Sequence, residues 1–283
     1  MDGILIVDKT PGVTSRDVDN RAKRILDSRG VGHLGTLDPF ATGVLVLGVG
    51  QGTKLFPFME DLPKTYRAKL ELGESRDTGE RTGAVTCRSP VPALSKELIN
   101  QVLNSFLGEI TQIPPAYSAK HVDGKRAYEI AREGKAVELK PQTVRIESIQ
   151  LLNFSDTWIE FEARVSRGTY IRTLGEDIAK ALGTLGYLSS LRRTAVGPYL
   201  AEDGVVPELI DFSRIIPMSE ALPFVPKVHL SSFQERIADS GGRLFLSDQK
   251  EERAQVIRSD GTLAGIYVKE REGQYRCLRG FKR

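Results

Sequence analysis

Apolar and polar side chains alternate along residues 158–165, where Ile159, Phe161, Ala163 and Val165 interleave with Trp158, Glu160, Glu162 and Arg164. A period of two is the mark of a strand with one buried face. It belongs to a β pattern that runs from Gln142 to Ser166. The unbroken apolar run Val44 to Leu47 reads as a buried strand, and residues 3–9 and Tyr66–Leu72, with a turn near Gly73, read as two more. Three-to-four spacing marks helices instead. Val18, Ala22, Ile25 and Leu26 form one apolar face behind Thr14-Ser15-Arg16-Asp17, which matches a capping box. Ser95 is placed to cap a helix carrying Ile99, Val102, Leu103, Phe106 and Leu107, and Leu174, Ile178 and Leu182 mark another after Gly168. Between them, Pro114-Pro115 leads into a basic stretch with a short helix around Tyr128–Arg132 that ends at Gly134.

Strands and helices thus mix irregularly to about residue 210, which favours an α+β fold over a repeating βαβ design. Past Pro207 the character changes. Pro217, Pro223 and Pro226 mark a connecting region, and short β runs follow from Arg243, with turns at Ser259-Asp260-Gly261 and Glu272-Gly273. The expected division is a catalytic domain over 1–215, with an insertion at about 95–140, and a small β-rich module over 216–283.

Composition narrows the function. A chain of 283 residues, 40% apolar and 27% charged, suits a folded protein with a sizeable core. The longest apolar run is too short to cross a bilayer. The first residues lack a basic leader and a small-residue cleavage site, so a cytoplasmic protein is expected. Three scattered histidines and two cysteines 190 positions apart argue against a metal or redox motif. No phosphate-binding loop or dinucleotide fingerprint is present, so no cofactor is expected. The net charge is only +3, yet the cations cluster: Arg21, Lys23 and Arg24; Lys120, Lys125 and Arg126; Arg164, Arg167 and Arg172; Arg192 and Arg193; Arg276 to Arg283. Five clusters point to a polyanionic partner.

One carboxylate has no evident structural task. Asp38 lies between Leu37 and Pro39 in GHLGTLDPFATGVLVLGVG, residues 32–50, and Pro39 biases it toward an extended backbone. Three other segments share a polar, aromatic and glycine-rich make-up: KTYRAKLELGESRDTG (64–79), QIPPAYSAKHVDGKRAYEIAREG (112–134) and RGTYIRTLGEDIAKALG (167–183). Together with the opening GILIVDKTPGVTS, and in this order, they resemble the TruB family of tRNA pseudouridine synthases over residues 3 to about 200. The C-terminal module resembles the PUA-like domain of that family.

The resemblance implies a mixed, largely antiparallel sheet with flanking helices, and isomerisation of uridine 55 in the TΨC loop of tRNA to pseudouridine. It makes Asp38 the catalytic aspartate, Tyr66 the ring that stacks on the flipped base and assists at C5, Arg172 the partner of Asp38, and Tyr170 the residue that holds that pair and the nucleotide. His33 fills the hole left by the base. Lys9 supports the catalytic loop, and Asp77 matches the motif aspartate. Lys64, Arg67, Lys120, Lys125 and Arg126 complete the RNA-facing set. Pairing with Arg172 is expected to lower the pKa of Asp38 by about 1–3 units, which suits a nucleophile or ion stabiliser more than a proton shuttle. The sequence departs from the family pattern at Gly79-Glu80 and Lys120-His121. The partner is the T-arm of tRNA, with no membrane, and the chain is expected to be a monomer. Two other readings are a tRNA-binding or folding protein without catalysis and a guide-RNA-dependent synthase subunit. Asp38 with Arg172 argues against the first, because phosphate binding has no use for a buried carboxylate.

Overall fold

The computed structural model describes residues 2–115, 121–122, 125–126 and 139–282, with no side chains described for the two short pairs in the middle. Its centre is the Val44–Leu47 run, which lies in strand β3 below and is buried on both faces. In chain order the first strands are β1 (Gly3–Lys9), β2 (Val31–Leu34), β3 (Thr42–Val49) and β4 (Lys64–Leu72). A small hairpin, β5 (Glu74–Arg76) with β6 (Val85–Arg88), and β7 (Gly108–Gln112) follow. The pair β8 (His121–Val122) and β9 (Lys125–Arg126) precedes the long hairpin of β10 (Gln142–Phe154) and β11 (Trp158–Val165). Then come β12 (Gly186–Val196), β13 (Tyr199–Leu200) and β14 (Ile216–Pro217).

Among the described residues a ten-stranded sheet runs β14-β1-β3-β12-β4-β11-β10-β7, with β2 and β13 as side branches. It is antiparallel except where β12 meets β3 in parallel, at Arg192↔Thr42 and Arg193↔Gly43. Gly43 has φ 101° there, and a Cβ would overlap the Arg193 carbonyl oxygen, so only glycine fits. That junction brings the chain just after Asp38 against the middle of the sheet.

Helices α1 (Ser15–Ile25), α2 (Lys96–Asn104) and α3 (Ile171–Ala181) flank it. Leu45 and Leu47 of β3 pack with Val18, Ala22 and Leu26 of the α1 region, whereas Ile25 is 38% exposed and off the expected face. Ile99 and Leu103 of α2 join Leu174 and Ile178 of α3 over Ala68, Leu70, Ile159 and Phe161. Leu107 lies beyond the end of α2 and is exposed. The caps predicted at Thr14 and Ser95 are both formed. The helix expected at Tyr128–Arg132 lies outside the described residues.

The C-terminal β runs form a five-stranded sheet, β15-β17-β18-β19-β16, from Lys227–His229 (β15), Leu244–Phe245 (β16), Arg253–Ile257 (β17), Leu263–Arg271 (β18) and Gln274–Gly280 (β19). Helix α4 (Ser232–Asp239) lies beside it. Just past the expected boundary at 215, Ile216 and Pro217 pair with Ile4 and Gly3 of the large sheet. Met218, Leu222, Ile257, Ile266 and Phe281 then share one apolar cluster with Ile4, Ile6, Val44 and Val46. Among the described residues, no helix is long and apolar enough to cross a membrane.

Candidate active site

Asp38 opens a turn. Pro39 follows it, and Ala41 N donates to the Asp38 carbonyl at 3.1 Å, an arrangement that suits Asp then Pro at the first two positions. Both neighbours are held by the chain's first segment. Ser15, buried at the start of α1, donates through Oγ to Leu37 O at 3.1 Å and accepts from Leu37 N at 2.9 Å. Pro39 O accepts from Gly12 N at 2.8 Å and from Lys9 Nζ at 3.2 Å. Lys9 also donates to Val13 O at 2.8 Å and Thr10 O at 3.1 Å, and it is 0% exposed. Burial lowers its pKa to about 8. Through these bonds the Lys9 ammonium braces the Asp38 loop.

Arg172 enters from the first turn of α3. Its Nε lies 3.0 Å from Asp38 Oδ2, its Nη2 donates to Asp38 Oδ1 at 3.4 Å, and its Nη1 donates to Thr78 O at 2.8 Å. The guanidinium is 6% exposed, whereas 37% of the Asp38 side chain opens to the cavity. The preceding residue, Tyr170, is fixed through its backbone. Gln112, buried on β7, accepts from Tyr170 N at 3.1 Å and donates to Tyr170 O at 3.3 Å. That double clamp leaves the Tyr170 ring to form part of the wall.

The cavity above the pair has a volume of about 600 Å³. Asp38, Arg172, Tyr66, Tyr170, His33 and Lys64 all line it, as do Arg193, Phe56 and the 166–169 loop. Strand alternation explains why Tyr66 and Lys64 are there and Arg67 is not. Even positions of β4 continue into the buried Ala68, Leu70 and Leu72, while Arg67 projects from the other face, where it grips Glu160 at 2.7 and 3.0 Å. Arg67, expected to flank Tyr66 for phosphate contact, does not line the cavity. Asp77 is exposed outside the cavity lining, and its Oδ1 accepts from Ala84 N at 2.8 Å, closing the turn of the small hairpin. Lys120 lies outside the described residues, and Lys125 and Arg126 are described only as backbone in β9.

Electrostatics alter one expectation. Burial pushes the Asp38 carboxyl above its ordinary value; Arg172 and Lys9 pull the other way, and the negative Glu80 adds to the rise. The lowering expected from Arg172 alone is outweighed by the loss of water around a deep carboxylate. Lys64, which donates to Glu60 O at 2.7 Å, has its pKa lowered to about 8 by burial and by the nearby charges of Arg193 and Arg167. The carboxylates of Asp61 and Glu60 pull the other way and only partly offset that lowering.

Three participants were not expected as site residues from sequence. Glu80 is buried and is held by Thr82, whose N donates to Glu80 Oε2 at 2.9 Å and whose hydroxyl bonds Oε1. Arg193 is 2% exposed and donates to Val44 O at 2.7 Å and Gly35 O at 3.0 Å, tying the central strand to the loop before Asp38. Gln112 sits in the quoted 112–134 segment, but nothing in its local pattern marks a clamp on Tyr170.

A carboxylate–guanidinium pair on the floor of a cationic, aromatic-walled cavity, at the centre of a mixed sheet, defines a class. The same fold occurs, at a TM-score of 0.73, in the crystal structure of a Cbf5-Nop10-Gar1 complex, which is 23% identical and covers 99% of this chain and 84% of that one. A structure of an H/ACA RNP bound to a substrate RNA containing 2′-deoxyuridine matches equally well, again at 23% identity, over 99% of this chain and 85% of that one. Residues 23–171 match the model of the TruB family pseudouridylate synthase N-terminal domain. A tRNA pseudouridine synthase B from Bordetella avium is 46% identical over 207 residues, 72% of this chain and 85% of its own. Its counterpart from Thermotoga petrophila is 39% identical over 285 residues, 96% and 92% of the two chains. The chain belongs to the TruB family of pseudouridylate synthases.

Proposed function

We propose that this enzyme isomerises uridine 55 in the TΨC loop of tRNA, in the cytoplasm, with Asp38 as its catalytic carboxylate. The observation that carries the reading is the Asp38–Arg172 pair at 3.0 Å, open to a cavity that Tyr66 and Tyr170 also line. A uridine must leave its stack to reach such a floor, which costs on the order of a few kcal/mol. Stacking on Tyr66 returns about 1–3 kcal/mol. Lys64 is a cation of the cavity wall suited to a backbone phosphate.

With the base in place, Asp38 acts on ribose C1′ as an anion, and Arg172 keeps it in that form against the pull of burial. The bond from C1′ to N1 breaks, the base turns, and C1′ bonds to C5. The hydrogen on C5 leaves as a proton, and N1 gains one. Nothing is oxidised or hydrolysed, so the chemistry asks for no cofactor. The carboxyl's upward shift removes acidity as an argument against proton transfer. What favours an anionic role is that Arg172 addresses both carboxylate oxygens.

The test is tritium release from a T-arm stem-loop RNA labelled at C5 of uridine. Wild type is expected to release the label, and Asp38→Asn to bind the RNA while losing about 10³-fold or more in rate. Tight binding with no release by wild type would instead favour a binding protein that does no chemistry.

A further inference from the structure

The proposed reaction leaves one buried carboxylate without a task. Asp19 projects from α1, the residue is 8% exposed, and its Oδ2 lies 2.7 Å from His33 Nδ1. Its other oxygen, Oδ1, is buried with no hydrogen-bond partner among the described residues. A buried carboxylate with an idle oxygen is costly, and such a group calls for an explanation beyond packing. The nearby Arg21 of α1 is directed to Glu208 at 3.4 Å. His33 comes from β2, where its backbone is locked opposite Leu47 of β3. Its Nε2 lies 3.1 Å from Thr36 Oγ1, and His33 and Thr36 both line the cavity that holds Asp38.

Donor and acceptor chemistry settles which nitrogen is committed. A carboxylate accepts hydrogen bonds and donates none, so the proton between Asp19 and His33 belongs to Nδ1. A neutral histidine in water favours the opposite tautomer, with the proton on Nε2. We propose that Asp19 is a positioning residue for His33: it fixes the plane of the ring and keeps the proton on Nδ1, so that Nε2, beside Thr36, is the atom offered to the RNA. The inference rests on the reading of the cavity as the RNA site. The physical logic is that of a metal-ligating histidine whose second nitrogen is held by a carboxylate, where loss of the outer partner costs about 10–100-fold in affinity.

The experiment is ¹⁵N spectroscopy of the histidine side chains in the RNA-free protein, at a pH where the His33 ring is neutral. It is paired with stem-loop affinity and tritium release under single-turnover conditions. Wild type and Asp19→Asn, whose amide oxygen can still accept from Nδ1, are expected to show the Nδ1-protonated ring and similar affinities. Asp19→Leu is expected to move the proton to Nε2 and to weaken stem-loop binding about tenfold, with release at saturating RNA little changed. If Asp19→Leu does not fold, Asp19→Ala takes its place with the same readouts. An unaltered tautomer in the apolar variant, or an altered tautomer with wild-type affinity and rate, overturns the proposal. If the wild type releases no label, the reading of the cavity falls, while the spectra still decide whether Asp19 sets the tautomer of His33.

Discussion

The two faces of the sheet around β4, β11 and β12 carry similar residue types and handle charge in opposite ways. On the outer face Arg67 meets Glu160 at 2.7 Å, Lys69 meets Glu71 at 3.2 Å and lies 4.3 Å from the Trp158 ring centroid, and Arg192 holds both oxygens of Asp8 at 2.9 and 2.8 Å. Cation and anion cancel locally. On the cavity face the neighbouring positions are Lys64, Tyr66 and Arg193, with Arg172 reaching in from α3. Lys64 donates there to a backbone carbonyl, and Arg193 to two. The difference shows how a chain of net charge +3 can present a cationic cavity. Glu160, Glu71 and Asp8 neutralise cations on the far side of the same strands.

The largest effect that would break this comparison is at Tyr66. Tyr66→Leu removes a stacking surface worth about 1–3 kcal/mol, so catalysis on the stem-loop is expected to fall by roughly 10–100-fold. Arg67→Ala, one residue along and facing away, is expected to leave single-turnover release at the wild-type rate. Equal losses in the two variants would mean that the faces do not differ in function.

Lys64 gives the next test. Its free-state pKa of about 8 lies below the ordinary lysine value, and a phosphate favours the charged form. Stem-loop affinity is therefore expected to fall as pH rises through about 8. In Lys64→Ala that component should vanish, and the slope of log affinity against log salt should flatten by about one counterion. Arg67→Ala should leave both the pH trend and the slope in place. A Lys64 variant with wild-type dependence on both variables would exclude that ammonium from the interface.

The smallest effect is on the outer face itself. A double-mutant cycle on Arg67 and Glu160, read by urea unfolding, is expected to return a coupling of about 0–1 kcal/mol, as for other solvent-exposed pairs. A coupling several times larger would mean that the ladder of pairs is structural and not merely neutralising.

Comparing these faces also shows what was legible beforehand. The five basic clusters pointed to a polyanion, but two of them do not hold together among the described residues. Arg192 and Arg193 are adjacent in sequence and diverge at once, one paired with Asp8 on the outer face and the other buried in the cavity wall. Arg164 is held by Glu147 at 2.6 Å. Arg67 was grouped with Lys64 because both flank Tyr66, although a strand sends odd and even positions to opposite sides.

The sequence by itself determined what depends on neighbours a few residues away. The strand through Ile159 and Val165, the cap at Thr14 and the helix that carries Leu174 and Ile178 all follow from period and capping. The motifs in their order also specified the family. Only the tertiary structure decided what depends on distant partners. Asp38 and Arg172 stand 134 positions apart, and the sign of the Asp38 shift came from the cleft around it, not from the arginine alone. Asp19 looked like one more polar residue on a helix until β2 placed His33 2.7 Å from it. Local rules act through the backbone of one segment, whereas burial and charge pairing depend on every segment that folds against it.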